Sequence, residues 1–423
     1  MIIGGGFAGL NAAKALRGKD VDVTLVDRHN HHLFQPMLYQ VATAALSPGD
    51  IASPIRSVLR DSPNIEVLLG EVREVDVAGR TVIVNGGRTL PYDYLVVAPG
   101  ARHSYFGHDE WEPLAPGLKN LEDAFDVRRR ILLAFERAEQ EADAGARAAL
   151  LTFVIVGAGP TGVEVAGALA EIKSYTLRQD FRNIEPDAAR VVVMEGGPRV
   201  LPTYPEELSA KARATLEDLG VDVRTDTMVT EISEDGVVAG GEFIPARTVI
   251  WAAGNIASPL LRTLGVPLDR QGRVPVGPDA SIPGHPEVFV LGDAAAFTQD
   301  GAILPGICPV AIQMGKYVAG IIAREAKYGG PGSRPAFRYF DKGQLAVIGR
   351  GRAVADIGRA HFGGFIAWLL WVFVHIFFLI GFRNRVIVLL EWAISYFTYS
   401  RGARLITYDR PSGAPDAPAP GTP

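Results

Sequence analysis

Two short stretches of the chain have the spacing needed to hold a dinucleotide. Gly4-Gly5-Gly6-Phe7-Ala8-Gly9 follows an apolar Ile2-Ile3 and precedes a run suited to helix. In such a turn Gly4 permits the tight bend, Gly6 lets the backbone approach a pyrophosphate, and Gly9 lets helix pack on strand. The phosphate then sits at a helix N-terminus, where N–H groups and dipole act together. Asp27, followed by Arg28, ends the next apolar run where a carboxylate would accept hydrogen bonds from ribose hydroxyls. A lone glycine fingerprint is weak evidence, but the strand before, the helix after and the acid beyond give this one weight.

The second stretch is Gly157-Ala158-Gly159-Pro160-Thr161-Gly162, with Glu164 just inside the helix that should follow. Its acid candidate is Glu195, farther downstream than the usual ~20 residues. The stretch Ser174–Ala189 can supply the longer connection. A carboxylate there favours NADH over NADPH, because it would repel a 2′-phosphate; Arg199, close in sequence, weighs the other way. Glu164 could hold or relay a proton if burial raises its pKa. Its ordinary reading, capping and orienting the loop, is about as good. Glu164→Gln separates the two.

Two such sites in one chain point to a flavin fixed in one and a nicotinamide visiting the other. Gly292-Asp293, after the apolar Val288–Leu291, resembles the element whose Asp binds the flavin ribityl chain in two-dinucleotide flavoproteins. The strand ends at Ala98 and Gly100, and at Gly254, are assigned to the cofactor sites with them. The flavin-binding domain is then discontinuous, residues 1–119 and 265–330, around an NADH-binding domain at 120–264. Residues 331–410 form a C-terminal membrane-associating region and 411–423 a disordered tail.

These sites need βαβ units to carry them. Strands are expected at Val21–Val26, Tyr92–Ala98, Thr152–Val156, Val191–Glu195, Thr248–Ala253 and Val288–Leu291. Val75–Val84 reads as β-structure with a turn at Asn85-Gly86-Gly87. Asn120 through Ala149 reads as a long helix or helix pair, and Val163–Lys173 as a further helix. The repeated βαβ pattern is the most informative feature of the organisation. The expected fold is α/β, two Rossmann-type domains with a C-terminal helical membrane-anchoring segment.

Composition agrees and excludes other classes. The chain has 423 residues, 48% hydrophobic, with 47 glycines, which suits two or three domains with many tight βα turns. A net charge of −5 and the lack of basic runs argue against nucleic acid. The single cysteine, Cys308, cannot form an internal disulfide, which excludes disulfide reductases and counts against sulfide:quinone reductases. Its ordinary reading is a small buried residue. No ligand cluster suggests a metal. The glycine turn begins at Gly4 with no signal peptide before it, so a cytoplasmic location is expected; the short first strand suggests a few missing N-terminal residues.

Longer stretches narrow the reading. His32-Leu33-Phe34-Gln35-Pro36-Met37-Leu38-Tyr39-Gln40-Val41-Ala42-Thr43, His103-Ser104-Tyr105-Phe106-Gly107, Pro309-Val310-Ala311-Ile312-Gln313 and Asp341-Lys342-Gly343 resemble the type II NADH dehydrogenases. These are single-chain, non-proton-pumping NADH:quinone oxidoreductases, and the resemblance runs from Gly4 to about Ile406. It implies non-covalent FAD, NADH as substrate and a quinone as acceptor. It implies that Gln313 stands beside the flavin ring at the quinone pocket, Glu164 near nicotinamide and flavin, and Lys342 on the pocket wall. Gln35 and Pro36 join the flavin site. The family often has a second Gln where this chain has Met314, whose flexible thioether still suits an apolar ring in the quinone pocket.

The C-terminal segment sets the cellular context. Phe365–Ile380 is apolar on every face of a helix, about 24 Å long at ~1.5 Å per residue, slightly short for a ~30 Å hydrocarbon layer. Arg383-Asn384-Arg385 interrupts it, and Val386–Tyr399 is a second apolar helix candidate. A span would send Arg383 and Arg385 outward, against the positive-inside tendency. A monotopic anchor on the cytoplasmic face of the inner membrane is therefore favoured over a spanning hairpin. Trp368, Trp371 and Trp392 would sit at the interface and Arg401 and Arg404 near anionic headgroups. Homodimer formation through the same segment is plausible. The competing functions are a soluble NAD(P)H oxidase or electron-carrier reductase, which has no use for this segment, and a non-catalytic NADH-responsive membrane protein.

Overall fold

The computed structural model describes residues 1–178, 180–330, 332–398 and 401–406. The tail expected at 411–423 and the end of the second C-terminal helix at Tyr399 lie outside the described residues.

Two largely parallel sheets carry the glycine turns. In the first, the strands run in the order Ser281–Ile282, His285–Val290, Leu95–Val97, Ile2–Ile3, Val23–Asp27 and Ile65–Leu69. The two-residue strand Ile2–Ile3 suffices because it is paired on both edges, Ile2 with Leu25 and with Val96. The second sheet runs Val221–Arg224, Arg190–Met194, Thr152–Val156 and Thr248–Trp251, all parallel. Strands covered on both faces read as unbroken apolar runs, and Thr152–Val156 is buried at every position. Chain from beyond residue 280 thus returns to the sheet begun at Ile2. Where the chain crosses between the two units, Ala101–His103 pairs antiparallel with Asn255–Ala257.

Helices seat the turns. Helix α1 (Phe7–Leu16) follows the first turn and α2 (Pro160–Glu171) the second, the latter continued as a wider π turn at Ile172–Thr176. Helix α3 (Cys308–Tyr328) lies against α1 so closely that a methyl on Gly315 would meet the Ala8 carbonyl at 2.3 Å. The region 120–149 is a helix pair, Leu121–Gln140 and Ala144–Leu150, the first opened by a capping box between Asn120 and Asp123.

Several boundaries differ from the sequence-based expectation. The second strand starts at Val23 and runs through Asp27, and the third central strand is only Leu95–Val97. Residues 72–91 form a three-stranded antiparallel sheet, Val72–Asp76, Thr81–Val84 and Arg88–Pro91, with Asn85, Gly86 and Gly87 all at positive φ in the turn.

The largest difference is at the C-terminus. Before any helix, Gln344–Gly349, Arg352–Ile357 and Ala360–Gly364 form an antiparallel meander that the sequence reading did not anticipate. It presses on α2: a methyl on Gly167 would meet the Ile348 carbonyl at 1.6 Å. Helices α4 (Phe365–Phe378) and α5 (Phe382–Thr398) follow. Among the described residues no helix is long and apolar enough to cross a membrane. The apolar run breaks at 379–381, where Arg385 donates to the carbonyls of Leu379 (2.8 Å) and Phe377 (2.9 Å) and so caps α4.

The helix pair has an inside and an outside. Ala367, Trp371 and His375 of α4 and Asn384 and Val388 of α5 face the protein, whereas Phe365, Ile366, Leu369, Phe373, Phe377, Phe382, Val386, Leu389, Leu390, Ile394 and Phe397 are exposed. Trp371 is 2% exposed and so not free for a lipid interface, whereas Trp392 is half-buried, its indole N–H donating to Gln40 Oε1 at 2.8 Å. Arg401 is likewise turned inward, donating to the Thr43 carbonyl (2.7 Å) and pairing with Glu171 (3.2 Å); Arg404 pairs with Asp180. For Arg401 the expected headgroup contact is replaced by an internal ion pair, whereas Arg404 and Asp180 pair at the surface, 33% and 43% exposed.

Candidate active site

A cavity of about 1140 Å³ extends from the first glycine turn to helix α4. Its walls bring together Gly4, Gly6, Phe7, Ala8, Asp27, Arg28, Gln35, Pro36, Ala98, Gly100 and Asp293, all singled out from the sequence for the flavin. Gly9 is absent from the wall because it serves packing: a methyl there would meet the Gly4 carbonyl at 1.8 Å. Gly4, at φ 96°, is pinned against the Ala98 carbonyl, 2.2 Å from where its Cβ would stand. Gly6 differs in kind. Its backbone is extended, and a Cβ there would meet nothing within 4 Å. The turn leaves open space before the N-terminus of α1, as a pyrophosphate there would require.

The second turn repeats this steric logic. A Cβ on Gly162 would meet the Gly157 carbonyl at 1.9 Å, while one on Gly159 would meet nothing within 4 Å. The acids repeat it too. Asp27 Oδ2 accepts from the Gly5 N–H (2.5 Å) and Oδ1 from the His29 N–H (2.7 Å). Glu195 Oε2 accepts from the Ala158 N–H (2.9 Å) and Oε1 from the Gly197 N–H (2.9 Å). Each acid is tied to the middle of its glycine turn and to the backbone two residues beyond itself. Of the second site only Pro160, Thr161 and Glu164 reach the large cavity; Gly157, Gly159, Gly162, Glu195 and Gly254 lie off it. Arg199 is turned away, donating to the Pro202 carbonyl at 2.9 Å.

Behind the first turn, buried His32 holds the Gly5 carbonyl through Nδ1 at 3.0 Å, and burial brings its pKa down to about 4. Deeper in the cavity, burial pushes the Asp293 carboxyl up, opposed by Lys119, while burial pushes Lys119 down, opposed by Asp293. Cys308, on the same wall, is pushed up to about 12 by burial and then by Asp293, so it stays a thiol and an unreactive one. Lys119 was not found from the sequence; nothing in its surroundings there sets it apart from a surface lysine.

The other end carries Glu164, Tyr39, Tyr204, Lys342, Val374, His375 and Phe378. Burial pushes Glu164 well above the usual carboxylate range, against the pull of the Val347 N–H. Burial, followed by the nearness of Glu164, raises both Tyr39 and Tyr204. Gln40 Nε2 donates to the Tyr39 hydroxyl at 2.9 Å, so a hydrogen-bonded chain runs from Trp392 on α5 to the cavity wall. Lys342 lies with Nζ 5.5 Å from the Phe378 ring centroid. This end sets the apolar Val374 and Phe378 and the aromatic rings of Tyr39, Tyr204 and His375 beside two ionisable side chains, Glu164 and Lys342, a mixture that suits a flat organic ring with polar substituents.

Two residues of α3 singled out from the sequence stand off this cavity. Neither Gln313 nor Met314 lies on the cavity wall. Gln313 spends both ends of its amide on one residue, donating to the Phe340 carbonyl (2.9 Å) and accepting from its N–H (3.0 Å), which fixes the approach to Lys342. Met314, one step of about 100° round the helix, is 1% exposed in the core. Among the described residues no group of His, Cys, Asp and Glu is placed to hold a metal ion.

Comparisons with known proteins follow this architecture. Residues 1–315 match the family described as pyridine nucleotide-disulphide oxidoreductase, and residues 342–401 match the NDH2 C-terminal domain. The chain is 48% identical to the type II NADH:quinone oxidoreductase Ndh of Mycobacterium tuberculosis, over 96% of this chain and 90% of that one. It is 30% identical to the type II NADH:quinone oxidoreductase of Staphylococcus haemolyticus, over 82% of this chain and 87% of that one. Among solved structures, NDH2 from Plasmodium falciparum in complex with NADH superposes with a TM-score of 0.87, at 19% identity, covering 96% of this chain and 99% of that one.

Proposed function

The chain belongs to the family of type II NADH:quinone oxidoreductases, and on that premise we propose how its own residues divide the work of oxidising NADH and reducing a quinone. The reaction converts NADH, a proton and quinone into NAD⁺ and quinol. Bound FAD would supply the redox chemistry that links nicotinamide oxidation to quinone reduction. The observation that carries the reading is the single cavity joining a phosphate cradle at Gly6 to an apolar end holding Glu164 and Lys342.

In this reading residues 1–119 and 265–330 hold FAD and residues 120–264 present NADH. Support comes from the return of His285–Val290 to the sheet of Ile2–Ile3. Gly6 and the α1 N-terminus hold the pyrophosphate, and Asp27 the adenosine ribose. Asp293 faces the ribityl chain. Gly159 and Glu195 do the same for NADH, and the Glu195 carboxylate disfavours a 2′-phosphate. Glu164, whose pKa burial raises, supplies a proton to the reduced quinone. Lys342 donates to a quinone carbonyl and Gln313 positions the loop that carries it.

The test is anaerobic. The purified protein should be yellow, be bleached by NADH and be recoloured by a short-chain quinone. Glu164→Gln should bleach within about twofold of the wild-type rate and recolour about 10²-fold more slowly, the usual size of a lost general acid. Because the carboxyl must be protonated to act, wild-type recolouring should slow as pH rises through its raised pKa, and the variant should lack that limb. Identical recolouring and pH profiles would remove the proton role; a colourless protein that takes up no flavin would remove the whole reading.

We also propose that the outer face of α4 and α5 lies on a lipid surface as a monotopic anchor at the cytoplasmic face of the cell membrane. Support comes from the exposed aromatic and aliphatic residues that the two helices carry, of the kind that marks a membrane or partner site. With Arg401 buried and Arg404 neutralised by Asp180, attraction to anionic headgroups should add little. The wild type should float with phosphatidylcholine vesicles, whereas Phe373→Glu/Phe382→Glu/Leu390→Glu should stay behind yet still reduce a water-soluble quinone. Equal flotation of both would end this proposal.

A further inference from the structure

We propose that His375 recognises the reduced form of the acceptor, its Nε2 accepting a hydrogen bond from a hydroxyl of the quinol. This rests on reading the α4 end of the cavity as the quinone site, and adds to it the residue that tells quinol from quinone.

The first step is the tautomer. His375 Nδ1 lies 2.7 Å from the Trp371 carbonyl oxygen. A carbonyl only accepts, so Nδ1 carries the hydrogen. The ring is 9% exposed with no ionic partner among the described residues, and burial brings its pKa down to about 4. It is therefore neutral under ordinary conditions, and Nε2 is left as a bare acceptor.

The second step is where that acceptor looks. The ring is held on one side by a stack on Trp371, centroids 4.2 Å apart, and meets Phe34 edge-on at 6.1 Å. Among the described residues Nε2 has no hydrogen-bond partner. Nor is it fully enclosed, for among the described residues the enclosed side-chain atoms without partners are those of Tyr92, Arg199, Trp371 and Glu391. His375 lines the cavity, between Val374 and Phe378 on the same helix wall. An acceptor without a partner, on a buried residue that lines the cavity, is left for a ligand that can donate.

The third step is the ligand's chemistry. A quinone presents only carbonyl acceptors and offers Nε2 nothing. Two-electron, two-proton reduction turns both into hydroxyls, each with a hydrogen to give. Lys342 on the same wall has three donors and no lone pair, and so favours the carbonyl form. The two side chains have opposite preferences, and His375 gains its contact only after reduction.

The experiment uses the flavin-loaded protein, a short-chain 1,4-benzoquinol, its quinone and the quinol's dimethyl ether, which has lost both hydroxyl hydrogens. His375→Phe keeps the stack on Trp371 and removes the acceptor. Its inhibition constant for the quinol should rise about tenfold, the usual size of one such hydrogen bond. The KM for the quinone should stay within about twofold, and bleaching by NADH should not change. In the wild type the dimethyl ether should inhibit about tenfold less than the quinol, and His375→Phe should erase that difference. The proposal is overturned if the variant is inhibited by the quinol as the wild type is, or if quinone KM and quinol inhibition shift together. If His375→Phe fails to load flavin, equal inhibition of the wild type by quinol and ether overturns it as well. A wild type that NADH bleaches but quinone does not recolour would count against the site reading itself.

Discussion

Gly6→Val should give a folded protein that purifies without flavin, while Gly159→Val should give a yellow one that NADH bleaches about 10²-fold less efficiently. The contrast follows from geometry. Both glycines have extended backbones, φ −69° and −70°, which any residue can adopt, and a Cβ at either would meet no protein atom within 4 Å. The fold should therefore accept valine at both. What the side chain removes is the close approach of a phosphate to the helix N-terminus, where the N–H groups act at short range. Gly4→Ala and Gly9→Ala form the control. Their methyls would strike carbonyl oxygens at 2.2 Å and 1.8 Å, so they should lower the yield of folded protein as well as its colour. Visible absorbance per folded chain and the kinetics of bleaching read out both variants. Normal flavin content in Gly6→Val would mean that no pyrophosphate uses this turn.

Glu171→Ala should cost about 3–5 kcal/mol of stability, the usual result of leaving one member of a buried ion pair alone. The Arg401 side chain is 7% exposed, and Glu171 is its anion at 3.2 Å, supplemented by the Thr43 and Ala168 carbonyls. Glu171 Oε1 also accepts from the Arg350 N–H at 2.5 Å, a second donor that loses its partner. The loss should appear as a lower urea midpoint and as earlier proteolysis beyond α5, since Arg401 ties that end of the chain to α2. Glu171→Leu/Arg401→Leu should be less damaged than Glu171→Ala, because removing both charges leaves neither unpaired. A single variant within about 1 kcal/mol of wild type would show the pair to be incidental.

What the sequence made legible is what local sterics and charge determine. A glycine turn between strand and helix is a short-range device, and so the spacing of Gly4, Gly6 and Gly9 was enough to assign them separate duties. Asp293 was legible because a strand and a glycine precede it. The C-terminal region was not. A segment that is apolar all round gives no signal of which face is inward, so Trp371 and His375 looked no different from Phe373 and Phe377. The meander was hidden because its strands are interrupted by glycines and charges and paired only with one another. Gln313 and Met314 are neighbours in sequence but point in different directions on α3. Links such as Trp392 to Gln40 and Arg401 to Thr43 join residues more than three hundred positions apart, beyond the reach of any periodicity.

The contact between Gly167 and Ile348 has a wider meaning. With no room for a side chain between helix and strand, the helix of the second glycine turn and the meander that leads into the apolar helix pair are packed backbone to backbone, and any larger residue at 167 would have to force them apart.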